Sequence, residues 1–296
     1  MRPEPIEFRT SDGLTIRGEA YGQAGPVVLF AHGAGQTRQS WRAVARDQAA
    51  LGWRTVTLDL RGHGASDWDP AGDYTLERYA LDLAGIARDL GGGVYHVGAS
   101  LGGNAAIPAL ARLAPDAFAA LVLVDVVPQV DMGGVAEVLG FMAEHLDEGF
   151  ADLDEAAAAV ARYRGQAPRK LGPTSGLARM LKPRADGRLV WHWDPRFVIG
   201  QRTGRLTPAY QARLVEDLRS IRQPLLLLRG LTSNLVTDAA EAAFRATVPL
   251  AQVWHVGGAG HMVVGDANTQ FATDLDRFLA GVRVSLGEQE HEQAGR

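Results

Sequence analysis

Residues 94 to 104, Val-Tyr-His-Val-Gly-Ala-Ser-Leu-Gly-Gly-Asn, constrain the fold of this 296-residue chain more than any other stretch. An apolar run ends in a serine framed by glycines, and a helical pattern begins at once. Gly98-Ala99-Ser100-Leu101-Gly102 is a Gly-x-Ser-x-Gly sequence, in which a strand turns abruptly into a helix and exposes the serine hydroxyl on a strained corner. So tight a turn draws the flanking backbone together, and a Cβ two residues before or after the serine would collide with the neighbouring strand or helix. A Gly-rich turn without chemistry satisfies the same pattern, so a base, an acid and an oxyanion site have to be found elsewhere in the chain.

The rest of the pattern sets the elbow in a sheet. Residues Pro5 to Tyr21 alternate around Ser11-Asp12-Gly13 and read as an antiparallel edge hairpin. Pro26 to Ala31 is continuously apolar, as in a strand buried on both faces, and helical periodicity follows from Gln39 to Leu51. Strand Thr55 to Leu60, helix Leu76 to Leu90, strand Val94 to Val97 and helix Leu101 to Leu113 continue the alternation. Leu121 to Val127, Pro224 to Arg229 and Ala251 to Val256 repeat the strand pattern. The expectation is an α/β fold with a doubly wound, mostly parallel sheet whose functional groups sit at strand C-terminal ends. Residues 128–222 break this rhythm with helical stretches (Val135 to His145, Leu153 to Tyr163, Pro208 to Leu218) around Trp191-His192-Trp193-Asp194-Pro195-Arg196-Phe197. That length exceeds an ordinary crossover and reads as an inserted helical cap, leaving 1–127 and 223–285 as the core and 286–296 as a polar tail.

Composition narrows the class. A net charge of -4 with both signs scattered offers no basic stripe for nucleic acid. The absence of cysteine removes disulfides, thiolate metal ligands and a cysteine nucleophile. With neither an apolar leader nor a bilayer-length apolar run, the expectation is a soluble cytoplasmic protein without membrane contact.

A serine hydroxyl needs a base to remove its proton, usually a histidine. His261, in Gly257-Gly258-Ala259-Gly260-His261, follows the last expected strand in a loop able to fold back towards the serine. His255 and His96 lie within strands and are expected in packing, while His63 sits in the turn Asp59 to Asp67, where structural hydrogen bonding is expected. An oxyanion site needs two convergent N–H groups. Leu101 would provide one and Ala34, in His32-Gly33-Ala34-Gly35-Gln36, the other.

With these motifs in order, His32-Gly33, Asp59 to Asp67, Gly98 to Gly102 and Gly260-His261, the chain resembles the α/β-hydrolase fold superfamily, in its serine-nucleophile branch with a helical cap. The resemblance implies acyl chemistry without a metal or organic cofactor, since epoxide hydrolases and haloalkane dehalogenases of this fold carry aspartate where Ser100 stands. It also exposes a departure. Similar proteins mostly place the triad acid after the strand that here is Pro224 to Arg229, yet this chain has Asn234 there, which carries no charge. Asp125, ending the strand beside the nucleophile strand, is the substitute, as in some dehalogenases and lactonases of the family.

The expected activity is hydrolysis of a small to medium apolar ester, thioester or lactone through an acyl-enzyme. Carbon–carbon bond cleavage or peracid formation by the same Ser100 and His261 is an alternative, and a ligand-binding pseudoenzyme with a degraded triad is another. Trp191, Trp193, Phe141 and Met180 are the pocket candidates, although each could equally hold the cap together. The partner is a small apolar molecule, and the oligomeric state, a homodimer among the options, stays open.

Overall fold

A computed structural model describes residues 1–163, 165–167, 170–172, 175–202, 207–257 and 269–294. The chain runs β1 (Glu4–Arg9), β2 (Thr15–Tyr21), β3 (Val27–Ala31), α1 (Arg42–Ala50), β4 (Arg54–Leu58), α2 (Leu76–Asp89), β5 (Val94–Ala99), α3 (Leu101–Pro108) and β6 (Phe118–Val124). It continues through α4 (Met132–Ala143), α5 (Leu153–Tyr163), β7 (Leu181–Pro183), β8 (Leu189–Trp191), α6 (Pro195–Arg202) and α7 (Pro208–Ser220). Then come β9 (Leu225–Gly230), α8 (Asp238–Thr247), β10 (Gln252–Val256) and α9 (Thr269–Ala294).

Eight strands form one sheet in the order β1-β2-β4-β3-β5-β6-β9-β10, antiparallel in the first two pairings and parallel thereafter. The apolar runs are explained by burial on both faces. In β3, Val28 and Phe30 face Trp41, Ala45, Phe271 and Leu275, while Leu29 and Ala31 face Leu83 and Ile107 of α2 and α3. Every residue of β3, β5 and β9 is buried. Tyr79, Ala80, Leu83, Ala84, Ile86 and Ala87 give α2 one apolar face, as its periodicity requires.

Local chemistry trims the expected elements. The helix expected from Gln39 opens as a 3-10 turn, Arg38–Trp41, in which the Gln39 N–H donates to the Thr37 hydroxyl. The helix expected over Leu101 to Leu113 widens into a π turn, Ala109–Leu113, after Pro108, which has no N–H for the α ladder. The segment read as a polar tail continues α9 as far as Ala294. Among the described residues, no helix is long and apolar enough to cross a membrane.

Among the described residues between β6 and β9 are the α-helices α4 to α7 and an antiparallel pair, β7 with β8, whose three-residue strands are too short to show alternation. α7 packs on α3 through Leu214, Val215 and Leu218, whereas the segment from Trp191 to Phe197 is riveted to the loop after β4. The Asp194 N–H donates to Gly62 O at 2.9 Å, and the Tyr74 hydroxyl donates to the Asp194 carboxylate at 2.5 Å. Phe197 packs edge-on to His63 with centroids 4.9 Å apart.

Three buried histidines complete this joint, each using one ring nitrogen as donor and the other as acceptor. His32 Nε2 accepts from the Leu60 N–H at 3.0 Å and Nδ1–H donates to Gly33 O at 2.7 Å. His63 Nε2 accepts from the Gly35 N–H at 3.2 Å and Nδ1–H donates to Arg61 O at 3.0 Å. His192 Nδ1 accepts from the Gly64 N–H at 2.8 Å and Nε2–H donates to Gly35 O at 3.4 Å. Gly35 is thereby held on both sides, once from the sheet and once from the insertion. Burial pushes His32 down to about 4, His63 to about 3 and His192 well below the usual imidazole range, because a charged ring would lose water and one acceptor bond.

These depressed values have a definite sign. The unfolded chain binds protons at these rings below pH ~6.5 and the folded chain does not until about pH 4 or lower, so stability falls as pH drops through that window. Each ring should contribute about 1 kcal/mol or more per pH unit there. Urea unfolding at pH 7.5, 6 and 5 is expected to show a steep acid loss, and a flat profile would refute the neutral-ring assignment.

Candidate functional site

The site is assembled at the C-terminal ends of β3, β5, β6 and β9. Ser100, directly after β5, has φ 44° and ψ -109°, a conformation rarely adopted by a residue with a side chain. The two glycines make it feasible: a Cβ on Gly98 would lie 2.5 Å from Gly103 N, and one on Gly102 would lie 2.5 Å from Ala31 O. Gly102 N–H donates to His32 O at 3.2 Å, and Asn104 N–H donates to Ser100 O at 2.9 Å. His96, fully buried beneath the turn as its strand position suggests, donates from Nε2 to Gly102 O at 3.2 Å.

Pairing of Ala31 with Gly98 brings the loop after β3 beside the serine, so that a Cβ on Gly33 would lie 3.3 Å from Ser100 Cβ. Backbone donors in this loop are not equivalent. Gly33 N–H is taken by Gln36 Oε1 at 3.1 Å and Gly35 N–H by His63. The N–H groups of Ala34 and Leu101 have no acceptor among the described residues, and both residues line the cavity next to Ser100. Two such donors beside a serine on the cavity wall suit an oxygen that gains negative charge.

That cavity encloses about 440 Å³. Leu76, Val126, Val130, Val138, Leu139 and Leu235 supply much of its apolar wall, with Phe197 from α6. The aromatic residues picked out in the sequence are otherwise elsewhere, which corrects the expectation for Trp191, Trp193, Phe141 and Met180. The Trp191 and Trp193 indoles stack on each other at 4.6 Å, 3% and 1% exposed, and Trp191 packs on Phe150. Phe141 stacks on Tyr163 at 4.3 Å, and Met180 O accepts from the His192 N–H. Aromatic bulk holds the inserted segment together instead of lining the cavity: Phe141 and Phe150 pack edge-on to Trp191, and Trp193 carries the stack on towards the Gly35 loop.

Asp125 and Asn234 occupy contrasting positions. Asp125 follows β6 with φ 51° and is 1% exposed. Pairing of Ala99 with Val124 places it one strand from Ser100. Its carboxylate accepts from the Gly230 N–H at 3.1 Å and from the Ser233 hydroxyl at 2.7 Å. Ser233 Oγ in turn accepts from the N–H groups of Leu235 and Val236, which leaves its proton directed at Asp125. Asn234 is exposed, and its amide donates to Glu137 of α4 at 3.0 Å. His261 lies outside the described residues.

His255 was expected in packing but is exposed at the end of β10, where Nε2 lies 2.7 Å from Glu241. Burial works to raise the Glu241 carboxyl, yet hydrogen bonds from His255, Arg229 and Arg245 outweigh it and hold it down at about 2. This cluster ties β9, α8 and β10 together behind the Ser233 loop. α8 is capped by Thr237, whose hydroxyl accepts from the Ala240 N–H. Among the described residues, no three His, Cys, Asp or Glu side chains converge to hold a metal ion. Sequence reasoning missed His192 and Asp194 as the link to the Gly35 loop; the Trp-His-Trp-Asp-Pro run was the visible signal. It also missed Asn104, Tyr210 and Arg213 on the cavity wall.

Residues 26–267 match the family model described as alpha/beta hydrolase fold. An esterase of Mycobacterium tuberculosis is 33% identical over 274 residues, covering 89% of this chain and 86% of its own length. A non-heme chloroperoxidase of Streptomyces lividans is 32% identical, covering 82% of this chain and 87% of its own. The crystal structure of E-2-(acetamidomethylene)succinate hydrolase superposes with a TM-score of 0.75 at 26% identity, over 94% of this chain and 100% of that one. With the strand order and the elbow already in place, these matches establish that the chain belongs to the alpha/beta hydrolase fold family and is a hydrolase enzyme.

Proposed function

We propose that the chain hydrolyses esters, thioesters or lactones with a small to medium, largely apolar body through an acyl-enzyme on Ser100. The observation that carries this is the half-buried elbow serine lining the cavity, beside N–H groups of Ala34 and Leu101 that have no acceptor among the described residues. In this reading His261 takes the Ser100 proton as Oγ adds to the substrate carbonyl carbon, and the two amides receive the oxyanion. Collapse breaks the bond to the alcohol or thiol, which leaves with the proton held by the imidazole. Water then adds to the acyl-serine with His261 again as base, releasing the acid and restoring the hydroxyl.

Asp125 is the proposed acid that orients and charges against His261. Its support is a buried carboxylate one strand from the serine, with its two oxygens fixed by Gly230 and Ser233, while Asn234 is neutral and turned to Glu137. The pseudoenzyme alternative drew its force from Asn234 alone and weakens once a carboxylate stands this close to the nucleophile strand. Carbon–carbon cleavage and peracid formation would use the same groups and are distinguished by substrate, not by residues.

A fluorophosphonate probe is expected to label the wild-type protein at Ser100, and Ser100→Ala should abolish both labelling and short-chain ester hydrolysis. Persistent hydrolysis in Ser100→Ala would rule the mechanism out. Asp125→Asn should lower kcat by about 10⁴, the scale seen when a triad aspartate becomes its amide, and Asn234→Asp should change it little. A large gain from Asn234→Asp with little loss from Asp125→Asn would transfer the acid role away from Asp125.

A further inference from the structure

One end of the cavity is polar, where α2, α3 and α7 meet. Glu77 is engaged there by Arg112, whose guanidinium reaches both carboxylate oxygens at 2.7 and 2.8 Å. Arg112 also contacts Asp217 at 3.2 Å. Arg213, a solvent-exposed residue of α7, is the remaining charged residue of the cavity wall; its charge acts on Glu77, but among the described residues it makes neither a close ion pair nor a hydrogen bond. Beside it on α7, the Tyr210 hydroxyl is buried without a hydrogen-bond partner among the described residues. Burial pushes this phenol up, so it stays a neutral donor. Asn104 Oδ1, one helical turn from Ser100, is likewise buried without a partner.

A buried hydroxyl without an acceptor costs free energy unless something bound supplies one. A free guanidinium next to that hydroxyl, at the edge of an apolar wall, matches an anionic oxygen group, and its planar fork suits a carboxylate. The wall between Ser100 and this end offers hydrocarbon surface for a short methylene chain. We propose that the preferred substrate is an ester carrying a free carboxylate remote from its scissile bond, bound by Arg213 and the Tyr210 hydroxyl; this rests on the ester-hydrolase reading above and names its substrate class.

Two matched pairs test it: monomethyl adipate against methyl hexanoate, with the carboxylate on the acyl side, and ω-acetoxyhexanoate against hexyl acetate, with it on the alcohol side. At least one pair should show kcat/KM favouring the anionic ester about tenfold or more, the scale of a charge-assisted hydrogen bond. Arg213→Met should collapse that ratio, and Arg213→Lys should keep part of it. Absence of preference in both pairs, or a preference unchanged in Arg213→Met, overturns the proposal. Calorimetric binding of monomethyl adipate to Ser100→Ala, with and without Arg213→Met, separates the two readings. Arg213-dependent binding without wild-type turnover keeps the subsite and rejects the hydrolase mechanism; turnover without Arg213-dependent binding does the reverse.

Discussion

The site depends on how closely the backbone of β5 and α3 can approach that of β3 and its loop. Ser100 turns the chain within one residue only because Gly98 and Gly102 carry no Cβ where Gly103 N and Ala31 O lie. The same closeness lets Gly102 N–H reach His32 O, so the elbow and the loop that holds Ala34 form one hydrogen-bonded unit. Strain at a single serine is tolerable there because buried strands on both sides over-determine its position.

A second layer of order comes from the neutral histidines. An imidazole with one donor and one acceptor can bridge two backbone groups in a dry interior at no charge cost, which neither an ammonium nor a carboxylate can do. His63 and His192 use this to grip Gly35 from the sheet side and from the insertion, so the inserted segment is coupled to the geometry next to Ser100. The joint between insertion and core is therefore polar and directional around the glycine loops, and apolar around Phe197. A segment attached only by apolar contacts could slide; these bonds fix its register.

Charge placement follows the strand ends. The β6 end carries a buried carboxylate that accepts from Gly230 and Ser233, and the β9 end carries an exposed amide that serves the contact with α4. The residue type at 234 thus answers to packing against the insertion. Farther along, Glu241 gathers Arg229, Arg245 and His255 and ties α8 to the ends of β9 and β10.

The parallel sheet, the elbow and the order of the motifs were legible in the sequence because each is local: apolar runs report two-sided burial, and Gly-x-Ser-x-Gly reports a turn that few other residues permit. Asp125 could be nominated from strand adjacency only with the help of the family resemblance and the lack of a carboxylate at 231–237. What the sequence could not rank was the fate of side chains meeting across long separations. Nothing local distinguishes Trp191 and Trp193, which stack on each other, from Phe197, four residues on, which reaches the cavity. Nor does any local pattern show that His192 meets Gly35, or that Arg112 pairs with two carboxylates while Arg213 makes no close ion pair among the described residues. Local sterics and periodicity are written residue by residue, whereas pairing across the fold exists only once the chain has closed on itself.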